Sequence, residues 1–130
     1  MENRCLWCNE ITDKEDLIEM DISFIFAGKY YVHSSHYSSS FKYFNNFKKY
    51  KLFLPILMLF SLLFFMLEDE KIGVVLNLVS MSIIIHMFPY GTRQTIVSFG
   101  VRKTIKIFKS ISLLLLLLSL FFLYSFYYKG

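Results

Sequence analysis

The stretch Ile111–Tyr128 constrains this chain more than any other. It contains Leu113-Leu-Leu-Leu-Leu-Leu118 followed by Phe121-Phe-Leu-Tyr124, and no charged residue. A helix built from it has no polar face to present to water, which excludes an ordinary surface helix of a soluble domain. A bilayer core of ~30 Å needs ~20 helical residues, with ~17 still workable. Two further apolar blocks, Leu52–Leu67 and Ile72–Tyr90, raise the hydrophobic fraction to 55% and the mean hydropathy to +0.48, beyond the range of soluble domains. The first block has 16 residues and must borrow Tyr50 and Lys51, the lysine snorkelling to the headgroups. Pro55 falls in its first turn, where a missing N–H costs least. The expected architecture is therefore a mainly α membrane protein with three transmembrane helices, at about 52–67, 72–90 and 111–128.

Orientation follows from lysine and arginine. Lys42, Lys48, Lys49 and Lys51 precede the first block, and Arg93, Arg102, Lys103, Lys106 and Lys109 lie between the second and third. The opposite side holds only Lys71 and Lys129. This asymmetry predicts a multi-pass cell-membrane protein with its N-terminus cytoplasmic and its C-terminus extracytoplasmic. Fifty mostly polar residues ahead of the first block argue against a cleavable signal peptide.

The N-terminal part carries the metal chemistry. Cys5 and Cys8 have two residues between them in Arg-Cys-Leu-Trp-Cys-Asn, and His33 and His36 repeat that gap after 24 intervening residues. These are the only two cysteines and two of the three histidines in the chain. In a reducing compartment a Cys-x-x-Cys points to a metal site or a redox pair rather than a structural disulfide. No βαβ pattern supports the redox pair, and the loop between the pairs is about twice the length found in DNA-reading fingers. The bland alternative, free thiols and unrelated histidines, leaves two matched gaps unexplained. The expected ligands are Cys5, Cys8, His33 and His36, holding a structural Zn²⁺ in a closed tetrahedral site. Some fifty residues bury too little apolar surface to fold securely alone, and such a zinc supplies on the order of 10–16 kcal/mol.

Around the ligands, Cys5–Cys8 reads as a knuckle. Ile22–Phe26 and Tyr30–Val32 read as strands joined at Ala27-Gly28-Lys29. Ser34 and Ser35 are placed to cap a helix through Phe41, Phe44 and Phe47, with Tyr37 on the same face and His36 near its start. Knuckle, hairpin and a helix whose start bears the last two ligands resembles a treble-clef zinc finger. Over residues 3–47 the sequence resembles uncharacterised small bacterial membrane proteins carrying Cys-x-x-Cys…Cys-Ser-x-x-Cys/His ahead of membrane helices. Asn9 stands where that pattern has glycine, and the histidines of Tyr31-Val-His33-Ser-Ser-His36-Tyr37 replace its second cysteine pair. Phe88–Thr95 with Gly100–Thr104 also looks like a pattern in membrane proteins of low-GC bacteria, with no activity attached. The resemblance implies a treble-clef-like α+β head; with the charge asymmetry and the apolar blocks, the expected division is a cytoplasmic head at 1–47 and a membrane domain at 48–130.

Within that domain, residues 92–109 form a basic amphipathic segment. On a helical wheel Ile96, Val97, Gly100, Val101, Thr104, Ile105, Ile107 and Phe108 fall on one half, and Arg102, Lys103, Lys106 and Lys109 on the other. That pattern predicts a helix lying in the cytoplasmic interface, separated from the second span by Pro89 and Gly91. The net charge of +4 hides an acidic head: Glu2, Glu10, Asp13, Glu15, Asp16, Glu19 and Asp21 face only Arg4, Lys14 and Lys29 up to residue 36. The positive excess beside the apolar blocks suits anionic headgroups, and an acidic head excludes nucleic acid as the expected partner.

Catalytic motifs are missing from the sequence: there is no His-Glu-x-x-His, Gly-x-Ser-x-Gly or phosphate loop, and no carboxylate within the apolar blocks. Asn77, Ser80 and Ser82 suit bonding between helices, and His86 falls near the cytoplasmic interface. The expectation is a non-enzymatic adaptor that meets a protein partner, or its own copies, at the cytoplasmic membrane face. Phe41, Tyr43, Phe44, Phe47 and Tyr50 are the candidate contacts. The alternatives are a small immunity-type protein against a membrane-active peptide, and a subunit of a membrane enzyme or transporter.

Overall fold

A computed structural model describes residues 3–129. It is mainly helical, with strands β1 (Leu17–Met20) and β2 (Tyr30–His33) followed by helices α1 (Tyr37–Tyr50), α2 (Phe53–Leu62), α3 (Glu70–Met87) and α4 (Arg93–Lys129). The chain divides into two compact units. One runs to Tyr50 and takes in Tyr90–Lys106, and the other comprises Lys51–Pro89 and the chain from Ile107 onward.

The first unit starts with the knuckle. Its turn closes through Asn9 N–H to Cys5 O at 2.8 Å and Cys5 N–H to Glu10 O at 3.0 Å. Asn9 adopts φ 66°, a left-handed conformation that asparagine tolerates better than most residues, so it can stand where glycine is usual. β1 and β2 pair antiparallel with Leu17 opposite His33 and Met20 opposite Tyr30, and Leu6 N–H binds Tyr31 O on the far side of β2 at 2.8 Å.

The first strand is therefore Leu17–Met20, not the expected Ile22–Phe26. The Asp21 carboxylate accepts from Ser23 N–H at 3.0 Å and from Ser23 Oγ at 2.6 Å, an Asx turn that ends the extended backbone. The turn lets Ile22 bury completely and brings Phe26 onto Phe44 and Phe47, whereas strand alternation would have sent every second side chain outward. Gly28, at φ 121°, supplies the backbone of the connection as expected.

α1 forms where the helix was expected, but its inward face is Ser40, Tyr43, Phe44 and Phe47. Phe41 and Tyr37 are exposed and stack on each other. Tyr43 and Phe44 are core residues and so unavailable as surface contacts. Neither Ser34 nor Ser35 occupies the cap position of the 3-10 turn Ser34–His36; His33 does, without a side-chain cap bond.

The amphipathic segment is helical, but protein rather than hydrocarbon covers Ile96, Val101 and Thr104 of its apolar half, while Val97 stays exposed. Ile96 and Val101, both 0% exposed, join Cys5, Leu6, Met20, Val32 and Phe44 in one core. Tyr90 stacks on Phe47, and Arg93 Nε donates to Tyr30 Oη at 2.8 Å. The head thus needs Tyr90–Lys106 to complete its core, while Arg102, Lys103 and Lys106 remain exposed. Helical geometry breaks inside α4 at Gly100 and continues from Val101 to Lys129, so 92–109 and 111–128 are not separate elements.

In the second unit α2 loosens into a 3-10 turn at Leu63–Met66, and Asn77 Nδ2 on α3 donates to the Ser61 carbonyl at 2.6 Å near that change. Gly73 lets the turn approach, since a Cβ there would run into the Phe64 carbonyl oxygen. Asp69 caps α3 by accepting from Lys71 N–H and Ile72 N–H. α3 and α4 are joined by Ser82 Oγ donating to Ser112 O at 2.6 Å. Leu113, Leu114, Leu117 and Phe121 stay exposed, an apolar surface that water would not tolerate.

Two helices, α3 and α4, are long and apolar enough to cross a membrane, or three if Ser34–Tyr50 and Phe53–Met66 are counted together as one bent span. The expected first span is shorter than its sequence block. Ten α residues and four 3-10 residues reach only ~23 Å against the ~30 Å core.

Candidate metal centre

The knuckle delivers Cys5 and Cys8, the end of β2 delivers His33, and the 3-10 turn before α1 delivers His36. The turn matters because it swings His36 back beside His33. Cys5 is buried and the other three are partly exposed. One ligand atom from each lies within 4.8 Å of all the others.

Individual distances test the fit. His33 Nδ1 and His36 Nδ1 are 3.3 Å apart, Cys8 Sγ and His33 Nδ1 3.5 Å, and Cys5 Sγ and His36 Nδ1 3.7 Å. A tetrahedron with Zn–S of ~2.3 Å and Zn–N of ~2.05 Å has edges of roughly 3.3 Å between nitrogens and roughly 3.5–3.6 Å between sulfur and nitrogen. Three edges agree to within about 0.2 Å. The four side chains lie close enough to bind one metal ion through both Nδ1 atoms and both sulfurs. Among the described residues no other group of three or more His, Cys, Asp or Glu does so.

Neighbouring groups favour that state. His33 Nε2 lies 3.0 Å from Thr12 Oγ1, so a proton on Nε2 given to Thr12 leaves Nδ1 as the lone-pair nitrogen a cation needs. His33 N–H points at Cys5 Sγ at 3.4 Å, an arrangement that stabilises a thiolate. Burial pushes the Cys8 thiol up to about 11; a backbone hydrogen bond at Glu10 opposes the rise and the adjoining Cys5 adds to it. Without a cation the Cys8 thiol resists ionisation. A divalent ion reverses that balance, because its charge exceeds any other in the site.

The knuckle has a second task. Its Leu6 and Trp7 carbonyls accept from Val101 N–H and Arg102 N–H, both at 2.9 Å. The Gly100 break denies those two donors the usual acceptors four residues back, and the knuckle replaces them. Asn9 Nδ2 adds a bond to Ser98 O at 3.1 Å. Residues bracketed by Cys5 and Cys8 therefore cap the helix that resumes at Val101.

All four sequence-predicted ligands converge. Thr12 and the Leu6 and Trp7 carbonyls were not foreseen: one threonine in a polar stretch carries no spacing signal, and backbone carbonyls carry none. Gly100 within an amphipathic pattern was the one available hint of a close backbone approach.

No family model, curated protein or solved structure matches this chain. The likeness to small zinc-headed membrane proteins therefore rests on the Cys2His2 cluster and the apolar helices alone.

Proposed function

We propose that this chain is a membrane-anchored, non-enzymatic adaptor whose cytoplasmic head is stapled by a structural Zn²⁺. The metal cluster carries the reading. Two thiolates and two imidazoles neutralise Zn²⁺ and fill a tetrahedron, leaving no position for a reactive water. Tetrahedral S2N2 coordination also suits zinc better than the harder divalent ions. The order of knuckle, hairpin and helix supports a treble-clef-like head, completed here by Tyr90–Lys106.

The composition of the head also supports the three-span topology. The head core draws on residues before Tyr50 and on Tyr90–Lys106, so both ends of the intervening chain lie on one side of any bilayer. Between them the number of crossings must be even. If α3 crosses, the α2 segment crosses too, its ~23 Å made up by Lys51 snorkelling and local thinning. A single crossing by α4 then puts the C-terminus on the far side, in keeping with the lysine and arginine asymmetry.

The test uses the full chain in detergent. Elemental analysis should give one zinc per chain, abolished by Cys8→Ser. A photocrosslinker at exposed Phe41 should trap one specific protein in cells, and the adduct should vanish with Cys8→Ser. Zinc-free wild-type protein sinks the metal reading. Protection against a membrane-active peptide that persists without the head would replace the adaptor by the immunity-type reading.

A further inference from the structure

Between α3 and α4 of the second unit runs a groove of about 420 Å³, within the ~300–1,000 Å³ usual for ligand sites. Ser82 and Ser112 form its floor, and neither offers a spare hydroxyl proton. Ser82 Oγ donates to Ser112 O at 2.6 Å and Ser112 Oγ donates to Lys109 O at 3.0 Å. The walls are Ile83, Met87, Leu113 and Leu116, all exposed. A satisfied floor between aliphatic walls suits a hydrocarbon chain.

The groove surface is almost wholly apolar, and its two titratable residues lie towards one end. His86 and the exposed Lys109 stand there, and His86 Nδ1 is 3.1 Å from Ser112 Oγ. Because Ser112 has given its proton to Lys109 O, the Nδ1 proton goes to Ser112 and Nε2 keeps a lone pair. The end thus brings the Lys109 amino group beside an imidazole nitrogen that can accept. No carboxylate answers that amino group locally: the acids of this unit are Glu68, Asp69 and Glu70, all at the opposite end of α3. The groove at that opposite end provides the contrast. There Asp69 caps α3, and Lys71 is already placed 5.8 Å over the Phe126 ring.

We propose that the groove holds one anionic phospholipid of the phosphatidylglycerol kind. Its phosphate pairs with Lys109, a headgroup hydroxyl donates to His86 Nε2, and one acyl chain lies along Ile83, Met87, Leu113 and Leu116. Basic pockets between membrane helices on the cytoplasmic side have the chemistry for such headgroups. This inference rests on the membrane reading above.

The experiment is lipid retention by the full chain, purified from bilayers of equal phosphatidylcholine and phosphatidylglycerol and counted by native mass spectrometry. Wild type should keep one phosphatidylglycerol in preference to phosphatidylcholine. Lys109→Gln should weaken that retention about fivefold, the effect of one basic side chain at a headgroup. Ile83→Trp, which fills the groove and keeps both polar groups, should expel the lipid, while Lys71→Gln should leave retention unchanged. His86→Phe should erase a preference for phosphatidylglycerol over phosphatidic acid. Equal retention of the two starting lipids, or Lys109→Gln matching wild type at unchanged helicity, overturns the site. Retained mass equal to a second copy of the chain also overturns it. Wild type stripped from membranes by alkaline carbonate defeats the membrane reading itself. A chain that stays embedded yet keeps no lipid defeats only this site.

Discussion

Gly100→Ala is the sharpest perturbation of the head. Gly100 sits at φ 79°, ψ 159°, a region open essentially to glycine, and any other residue there costs about 1–3 kcal/mol. A Cβ would also lie 3.0 Å from Trp7 O, 3.0 Å from Asn9 Cβ and 3.1 Å from Asn9 N. Two of those three atoms are backbone of the knuckle and cannot rotate away, which adds about 1 kcal/mol or more of overpacking. The sum is about 2–4 kcal/mol, on the order of 10–25 °C in the melting temperature of a unit this size. The strain falls on Asn9 and on the Trp7 carbonyl that caps Arg102, so the metal should loosen along with the fold. Trp7, the only tryptophan, lies in the knuckle and reports on it directly. The assay is Trp7 fluorescence during heating and during zinc extraction by a chelator, with Ser98→Ala as an exposed control expected within ~0.5 kcal/mol of wild type. A Gly100→Ala protein that melts and releases zinc like wild type would refute both the backbone geometry and the coupling of knuckle to helix.

Two further substitutions probe the other supports. Thr12→Val removes the partner that orients His33 and should lower zinc affinity about 10–100-fold with little change in helicity, as read by competition with a chromophoric chelator. Asn77→Leu strips the Ser61 carbonyl of its buried partner and should weaken the α2–α3 pairing by about 0.6–2 kcal/mol, measured as a shift in the unfolding midpoint in mixed micelles. A reporter active only outside the cytoplasm should work when fused after the last residue. Activity of a cytoplasm-only reporter there would reverse the proposed orientation.

The clustering of Cys5, Cys8, His33 and His36 was legible in the sequence because metal chemistry admits few residue types, and matched gaps of two survive any arrangement of the intervening loop. The apolar helices were equally legible, since a run such as Leu113–Leu118 leaves a chain no polar face to use. The position of β1 was not. Ile22–Phe26 has the better strand composition, but the short-range bonds from Ser23 to Asp21 outweigh propensity, and the hairpin forms from the less apolar Leu17–Met20. Tertiary structure alone also decided the fate of residues 92–109. A half-apolar helix declares that one face must leave water, but periodicity cannot say whether lipid or protein will cover it. Here Ile96 and Val101 find the core beneath the knuckle, because a head of fifty residues has too little apolar surface to close a core alone. The same long-range packing turned Gly100 from an ordinary position on a helical wheel into the point where the metal knuckle grips α4.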